Sequence, residues 1–222
     1  MKTVTGLIQK DLLTIRTYLY RQIGLLLIIY LVLGWAIKSM SMLPAMVMMG
    51  MVMGLLSTFS FDESCHWNAF ACTMGVPPSR LVLARYLLFY GSMVICAVVT
   101  TVLSVGLDFL LFSDQQDQLE ILFAGMGGSA AILVIYTLMC AVDFPMFYKL
   151  GMERSRLPMT LTFVIPFIVI FPTMSYWGPW LESLDLAAVP WGLVAVCTAA
   201  LLVLVAVVSY RISVRIVQNK EW

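Results

Sequence analysis

The most chemically varied stretch of this sequence is FDESCHWNAFACTMGVPPSRLVLARY, Phe61 to Tyr86. It holds the single histidine, His66, among Asp62, Glu63, Ser64 and Cys65. Imidazole beside carboxylate, hydroxyl and thiol is the raw material of nucleophilic catalysis. One histidine excludes most of that chemistry. A His-Glu-x-x-His zinc site needs two, and no Gly-x-Ser-x-Gly elbow stands elsewhere for His66 to serve. The five cysteines (Cys65, Cys72, Cys96, Cys140 and Cys197) contain no Cys-x-x-Cys pair and lie mostly in apolar runs. They read as small packing residues, with neither a disulfide framework nor a zinc site.

Two other patterns invite a chemical reading. Gly-Met-Gly-Gly-Ser at 125–129 is glycine-rich like a phosphate loop, but it lacks the Gly-Lys-Ser/Thr ending. The spacing of Gly125 and Ser129, like that of Gly50 and Gly54, is the small-xxx-small pattern that lets helices approach closely. Met40, Met42, Met46, Met48, Met49, Met51 and Met53 could offer thioethers to copper(I). No Cys or His accompanies them, and they surround the helix rather than line one stripe. Adaptable packing, around a greasy substrate in the strongest form, is the better reading. No metal site is expected.

The elements that must position these residues are set by hydropathy. The 222 residues are 62% hydrophobic and 11% charged, against about 25% charged in a soluble domain. A bilayer core of about 30 Å takes about 20 apolar residues of helix. Uncharged runs occur at Gln22–Ile37, Ser39–Phe61, Tyr86–Leu107, Ile121–Val142, Leu157–Leu181 and Leu186–Tyr210. They predict an all-α membrane protein with six spans, near 22–41, 42–61, 86–107, 121–142, 157–178 and 187–210. The first run is short, and Lys38 can snorkel to let it extend. Connections are short and no internal repeat is visible, so residues 1–222 are expected to form one transmembrane domain.

Orientation follows from the basic residues. All of the 13 lysines and arginines except Lys38 fall before span one, between spans two and three, between spans four and five, or after span six. The opposite loops carry Asp114, Asp117, Glu120, Glu182 and Asp185 and no other basic residue. Both termini are therefore expected in the cytoplasm. Asp11 upstream and Lys38 with bulky methionines downstream argue against a cleavable signal peptide.

Residues 1–21 are not a span. Val4, Leu7, Ile8, Leu12, Ile15 and Leu19 recur at helical spacing, with Thr5, Gln9, Lys10, Arg16 and Thr17 on the other side. This predicts an amphipathic elbow helix lying in the cytoplasmic interface. Between spans two and three, Asp62 or Ser64 can cap a short helix that places Trp67, Phe70 and Met74 on one face. Gly75 stops it, Pro77-Pro78 forbids resumption, and Ser79 can cap the next helix. A cytoplasmic helix of roughly three turns, about 18 Å long, results. Its aromatic face is either a membrane anchor or a knob for a partner's groove. Asp108 and Asp143 sit at span ends, and no charge lies deep inside a span. Ion-coupled carriers need such charges, so any transport would draw its energy from elsewhere.

Here the sequence resembles the six-span permease subunit of ABC-2 type transporters. FDESCHWNAF matches the family's Asp-Glu-x-x-x-Trp-x-x-Phe pattern, followed by a Pro-x-Ser-Arg-like turn and Arg85-Tyr86. KLGMERSRL at 149–157 is similar to its Lys-x-Gly-x-Glu-Lys-x-Arg loop, and SVRIVQNKEW is close to its basic-Glu-aromatic ending. The turn TMGVPPSR is longer than the family's Thr-Leu-Pro-Val-Ser-Arg.

The resemblance implies that the loop at 62–85 carries the coupling helix. Asp62, Glu63, Trp67, Phe70, Met74 and Arg80 would then meet a separate ATP-binding subunit. Lys149, Glu153, Arg154 and Arg156 would form the second cytoplasmic loop. It implies two ATP-binding subunits holding ATP and magnesium, and a second permease as homodimer or heterodimer. The setting would be a bacterial cell membrane. This chain would hold no cofactor and bind no nucleic acid. Export is the family's usual direction. A lining rich in Met, Phe and Thr suits an amphipathic peptide or a hydrophobic compound. The alternative is a non-transporting membrane sensor or assembly factor that holds a cytoplasmic partner.

Overall fold

In the computed structural model, residues 2–37, 40, 43–112, 118–162, 164–165, 168 and 191–219 are described. The elements among them are helices: α1 (Lys2–Ile37), α2 (Leu43–Ser64), α3 (Trp67–Thr73), α4 (Pro78–Phe112), α5 (Gln118–Leu150) and α6 (Trp191–Gln218). Residues 156–162 are also helical. Among the described residues, 5 helices are long and apolar enough to cross a membrane. The chain is thus an all-α, multi-pass membrane protein. Most of the expected span at 157–178 lies outside the described residues.

The first difference from expectation is in α1. No elbow separates residues 2–21 from span one; the helix runs unbroken for 36 residues, about 54 Å. No proline precedes Pro44, so nothing in the local sequence forces a break. The amphipathic stretch is an extension of span one, not a separate helix.

The chain divides into two compact units, 1–136 and 137–220. In the first, α1, α2 and α4 pack together. A Cβ on Gly50 would overlap Leu26 Cδ1, and one on Gly54 would overlap Leu19 Cδ2. These two glycines admit α1 against α2. Gly125 is in the same position toward α4, where a Cβ would lie 2.8 Å from Val105 Cγ2. Ser129 is buried, and its hydroxyl donates to the Met126 carbonyl of its own helix at 3.0 Å. At the far end of this unit, Tyr30 donates its hydroxyl to the Met40 carbonyl, and the Met40 N–H donates to Asp108 Oδ1 at 2.6 Å. Buried Tyr30, Met40, Leu43 and Val47 surround this turn.

In the second unit, Pro145 lies inside α5. Proline has no N–H, so the carbonyl of Ala141 loses its helical donor. The buried Ser209 hydroxyl of α6 donates to that carbonyl at 2.6 Å. Apolar surroundings make such a replacement necessary, because no water is at hand. Gly151 ends α5 with φ +80°, and the buried Ser155 hydroxyl donates to the carbonyls of Gly151 and Met146.

Candidate functional site

The site is built where α1, α2, α3 and α4 meet. α2 does not stop at Phe61. It continues to Ser64, which places Asp62 in its last turn. Asp62 therefore caps no helix. Ser64 does not cap one either; its hydroxyl donates back to the Phe61 carbonyl at 2.8 Å. Cys65 and His66 separate α2 from α3, and His66 makes the corner with φ 50° and ψ 34°. Among the described residues it is the one non-glycine with positive φ. That left-handed conformation costs a residue with a Cβ about 1–2 kcal/mol, so the sole histidine serves here as a backbone corner.

α3 is shorter than expected, at 7 residues or about 10 Å. Its end is a Schellman motif: the Val76 N–H donates to the Ala71 carbonyl, and that of Gly75 to Cys72. Gly75 supplies the required positive φ, +79°. The chain then resumes helix at Pro78 rather than after Ser79. Proline is tolerated in a first turn because its missing N–H would have no partner there. Pro77-Pro78 thus starts α4 instead of forbidding it.

The central feature is a four-charge cluster. Lys10 Nζ lies 2.8 Å from Asp11 Oδ1 and 2.6 Å from Asp62 Oδ1. Arg85 Nη2 pairs with Asp62 Oδ2, and lies 3.6 Å from Asp11 Oδ2. Asp11, Asp62 and Arg85 are buried. Both cations also rest on aromatic faces. Lys10 Nζ is 4.6 Å from the Trp67 ring centre, and the Arg85 guanidinium is 4.2 Å from that of Phe59. The cluster is formally neutral, and α1, α2 and α4 each contribute at least one charge. A ring quadrupole under each cation adds attraction.

This geometry sorts the expected contact residues. Trp67 is half-buried against Lys10, with its ring 5.7 Å from that of Phe70. Phe70 is 53% exposed and Met74 67% exposed. Glu63 is exposed, and so is Arg80, whose Nη1 donates to Thr3 Oγ1 of α1 at 3.2 Å. In the second unit Lys149, Glu153, Arg154 and Arg156 are all exposed around the turn after α5. Asp143, 1% exposed, has Thr162 beside it, and no basic side chain among the described residues pairs with it.

Lys10, Asp11, Arg85 and Phe59 are the members sequence reasoning missed. One signal was present. Arg85 adjoins the apolar run that begins at Tyr86, and Asp11 is followed directly by Leu12 and Leu13, surroundings in which an unpaired charge is costly.

An apolar cleft of about 600 Å³ opens between α1, α2 and α4, with Leu27, Val47, Met51, Gly91, Ile95 and Leu103 in its wall. The Ser92 and Thr100 hydroxyls in this wall donate to carbonyls of their own helix, those of Phe89 and Cys96. What the wall offers is therefore apolar contact.

The family described as ABC-2 family transporter protein matches residues 6–218. The chain belongs to this family. Members of the ABC-2 family are non-catalytic permease components that typically pair with an ATP-binding cassette subunit, and this chain is a membrane permease of that kind. No curated protein and no solved structure matches the chain.

Proposed function

We propose that the chain is the membrane path of an ATP-driven exporter, with six spans, both termini in the cytoplasm and α3 as the coupling helix. Two such permeases face each other, and each receives one ATP-binding subunit, which holds ATP and magnesium. The observation that carries this reading is the exposure of Phe70 on a short helix between two apolar helices, and of Met74 at that helix's C-cap. Adjacent large apolar side chains left open at a polar membrane surface mark a docking site. Trp67, expected as part of the inserted knob, turns back onto Lys10. Phe70 and Met74 therefore form the inserted part, and Trp67 belongs to the link behind it. The cleft beside α4 supports a cargo with hydrocarbon surface, an amphipathic peptide or a hydrophobic compound.

Co-purification with the ATP-binding subunit tests the reading. Truncating a central aromatic anchor costs about 2 kcal/mol, or about 30-fold in Kd. Phe70→Ala with Met74→Ala should lose the ATPase, while Leu110→Ala, at a site 81% exposed on α4, should retain it. Wild-type ATPase recovery with the Phe70→Ala, Met74→Ala chain would refute α3 as the docking helix. Uptake into liposomes by the lone chain under an ion gradient would refute the ATP-driven assignment.

A further inference from the structure

We propose that Lys10, Asp11, Asp62 and Arg85 are positioning residues that form a mechanical joint, through which a tilt of α3 is passed to α1 and α4. The proposal rests on the reading of α3 as the coupling helix.

Three observations converge on it. First, α3 is bounded by two residues of positive φ, His66 and Gly75, so a two-turn rod is set off from α2 and α4 by a corner in the chain at each end. Second, the side of α3 that faces the bundle is hooked to α1, because the Trp67 ring lies on Lys10 Nζ. Third, Lys10 is not a loose surface cation. It bonds Asp62 of α2 and Asp11 of its own helix, and the same two carboxylates hold Arg85 of α4. A displacement of Trp67 is therefore applied first to Lys10, next to Asp62, and through Asp62 to Arg85. Arg80 adds a parallel tie from the start of α4 to Thr3 near the start of α1.

The chemistry suits a joint better than a clamp. Replacing a buried ion pair by well-packed apolar side chains is often neutral or stabilising, so this cluster is a poor device for stability alone. Apolar contact is non-directional and lets helices slide past one another. Charge-assisted hydrogen bonds are short and directional, and they keep three helix ends in register while the rest of the bundle shifts. The cluster is also formally neutral, so it can move as a body without a change of net charge.

Hydrogen–deuterium exchange on the reconstituted permease–ATPase complex tests this, with Mg-ATP and orthovanadate used to trap the ATPase. In the wild-type complex, trapping should change exchange in residues 67–73 and also in residues 2–21 and 78–90. Lys10→Met keeps the apolar stem but removes the charge. The change should persist in 67–73 and be lost in 2–21 and 78–90, with ATPase recovery unaltered. Lys10→Arg, which keeps the cation, should restore it.

Trp67→Leu, on the short helix itself, gives the same test without disturbing the ion pairs. Undiminished propagation through Lys10→Met or Trp67→Leu would overturn the joint and leave the docking reading intact. Loss of ATPase binding with Lys10→Met would make it a docking residue and overturn the joint as well. A wild-type chain that binds no ATPase would overturn the reading beneath both.

Discussion

Replacing Arg85 by methionine isolates the energetics of the charge cluster. The guanidinium has a side chain 8% exposed, pairs with Asp62 and reaches Asp11 at 3.6 Å. Methionine keeps most of the volume against Phe59 but leaves Asp11 and Asp62 to share Lys10. A neutral cluster then carries one net negative charge in a dry setting. Removing one partner of a buried pair typically costs about 3–5 kcal/mol. Lys10 still bridges both carboxylates and its side chain is 27% exposed, which places the expected loss at the low end, about 3 kcal/mol.

The second variant sharpens the test. Adding Asp62→Leu to Arg85→Met leaves Lys10 with Asp11, again neutral. The double variant should be more stable than Arg85→Met alone, a departure from additivity that contacting residues show. Unfolding of purified protein in mixed micelles with rising denaturing detergent reads both values. An Arg85→Met loss below about 1 kcal/mol, the range of exposed pairs, would refute the burial argument. So would additive losses in the double variant.

Three further outcomes are expected. Single cysteines at Asp117 and Asn219, in a chain without its native cysteines, should be labelled from opposite faces of the membrane; labelling of both by an impermeant reagent outside intact cells would refute the proposed topology. Gly54→Leu should cost about 1–3 kcal/mol by overpacking α1 against α2, whereas Gly91→Ala, where a Cβ meets nothing within 4 Å, should be neutral or stabilising; equal midpoints in the same detergent titration would contradict the helix approach at Gly54. His66→Gly should raise stability by up to about 1 kcal/mol, because glycine carries no Cβ penalty at positive φ, and His66→Val should lower it, because a β-branched residue fits positive φ less well than histidine; wild-type midpoints for both would remove the left-handed corner.

Much of this protein was legible in its sequence because hydropathy and turn chemistry act locally. Apolar runs locate most of α1, α2, α4, α5 and α6, since twenty residues of helix must be lipid-compatible whatever their neighbours. Gly75 announces a helix end because positive φ is cheap only without a Cβ. The family's motifs were likewise readable as strings, and the match over residues 6–218 places the chain in that family.

Tertiary structure decided the rest. Asp62 was readable as a cap or a docking acid, yet its partners are Lys10 and Arg85, 52 and 23 residues away. Trp67, Phe70 and Met74 share a face by spacing, but only the position of Lys10 on α1 draws Trp67 inward and leaves Phe70 and Met74 out. An amphipathic stretch can lie flat on a membrane or pack against neighbouring helices, and in α1 Lys10 and Asp11 reach Asp62 of α2 and Arg85 of α4. Periodicity is identical in the two cases. The choice is made by charges on other helices, which a local reading of residues 1–21 does not contain.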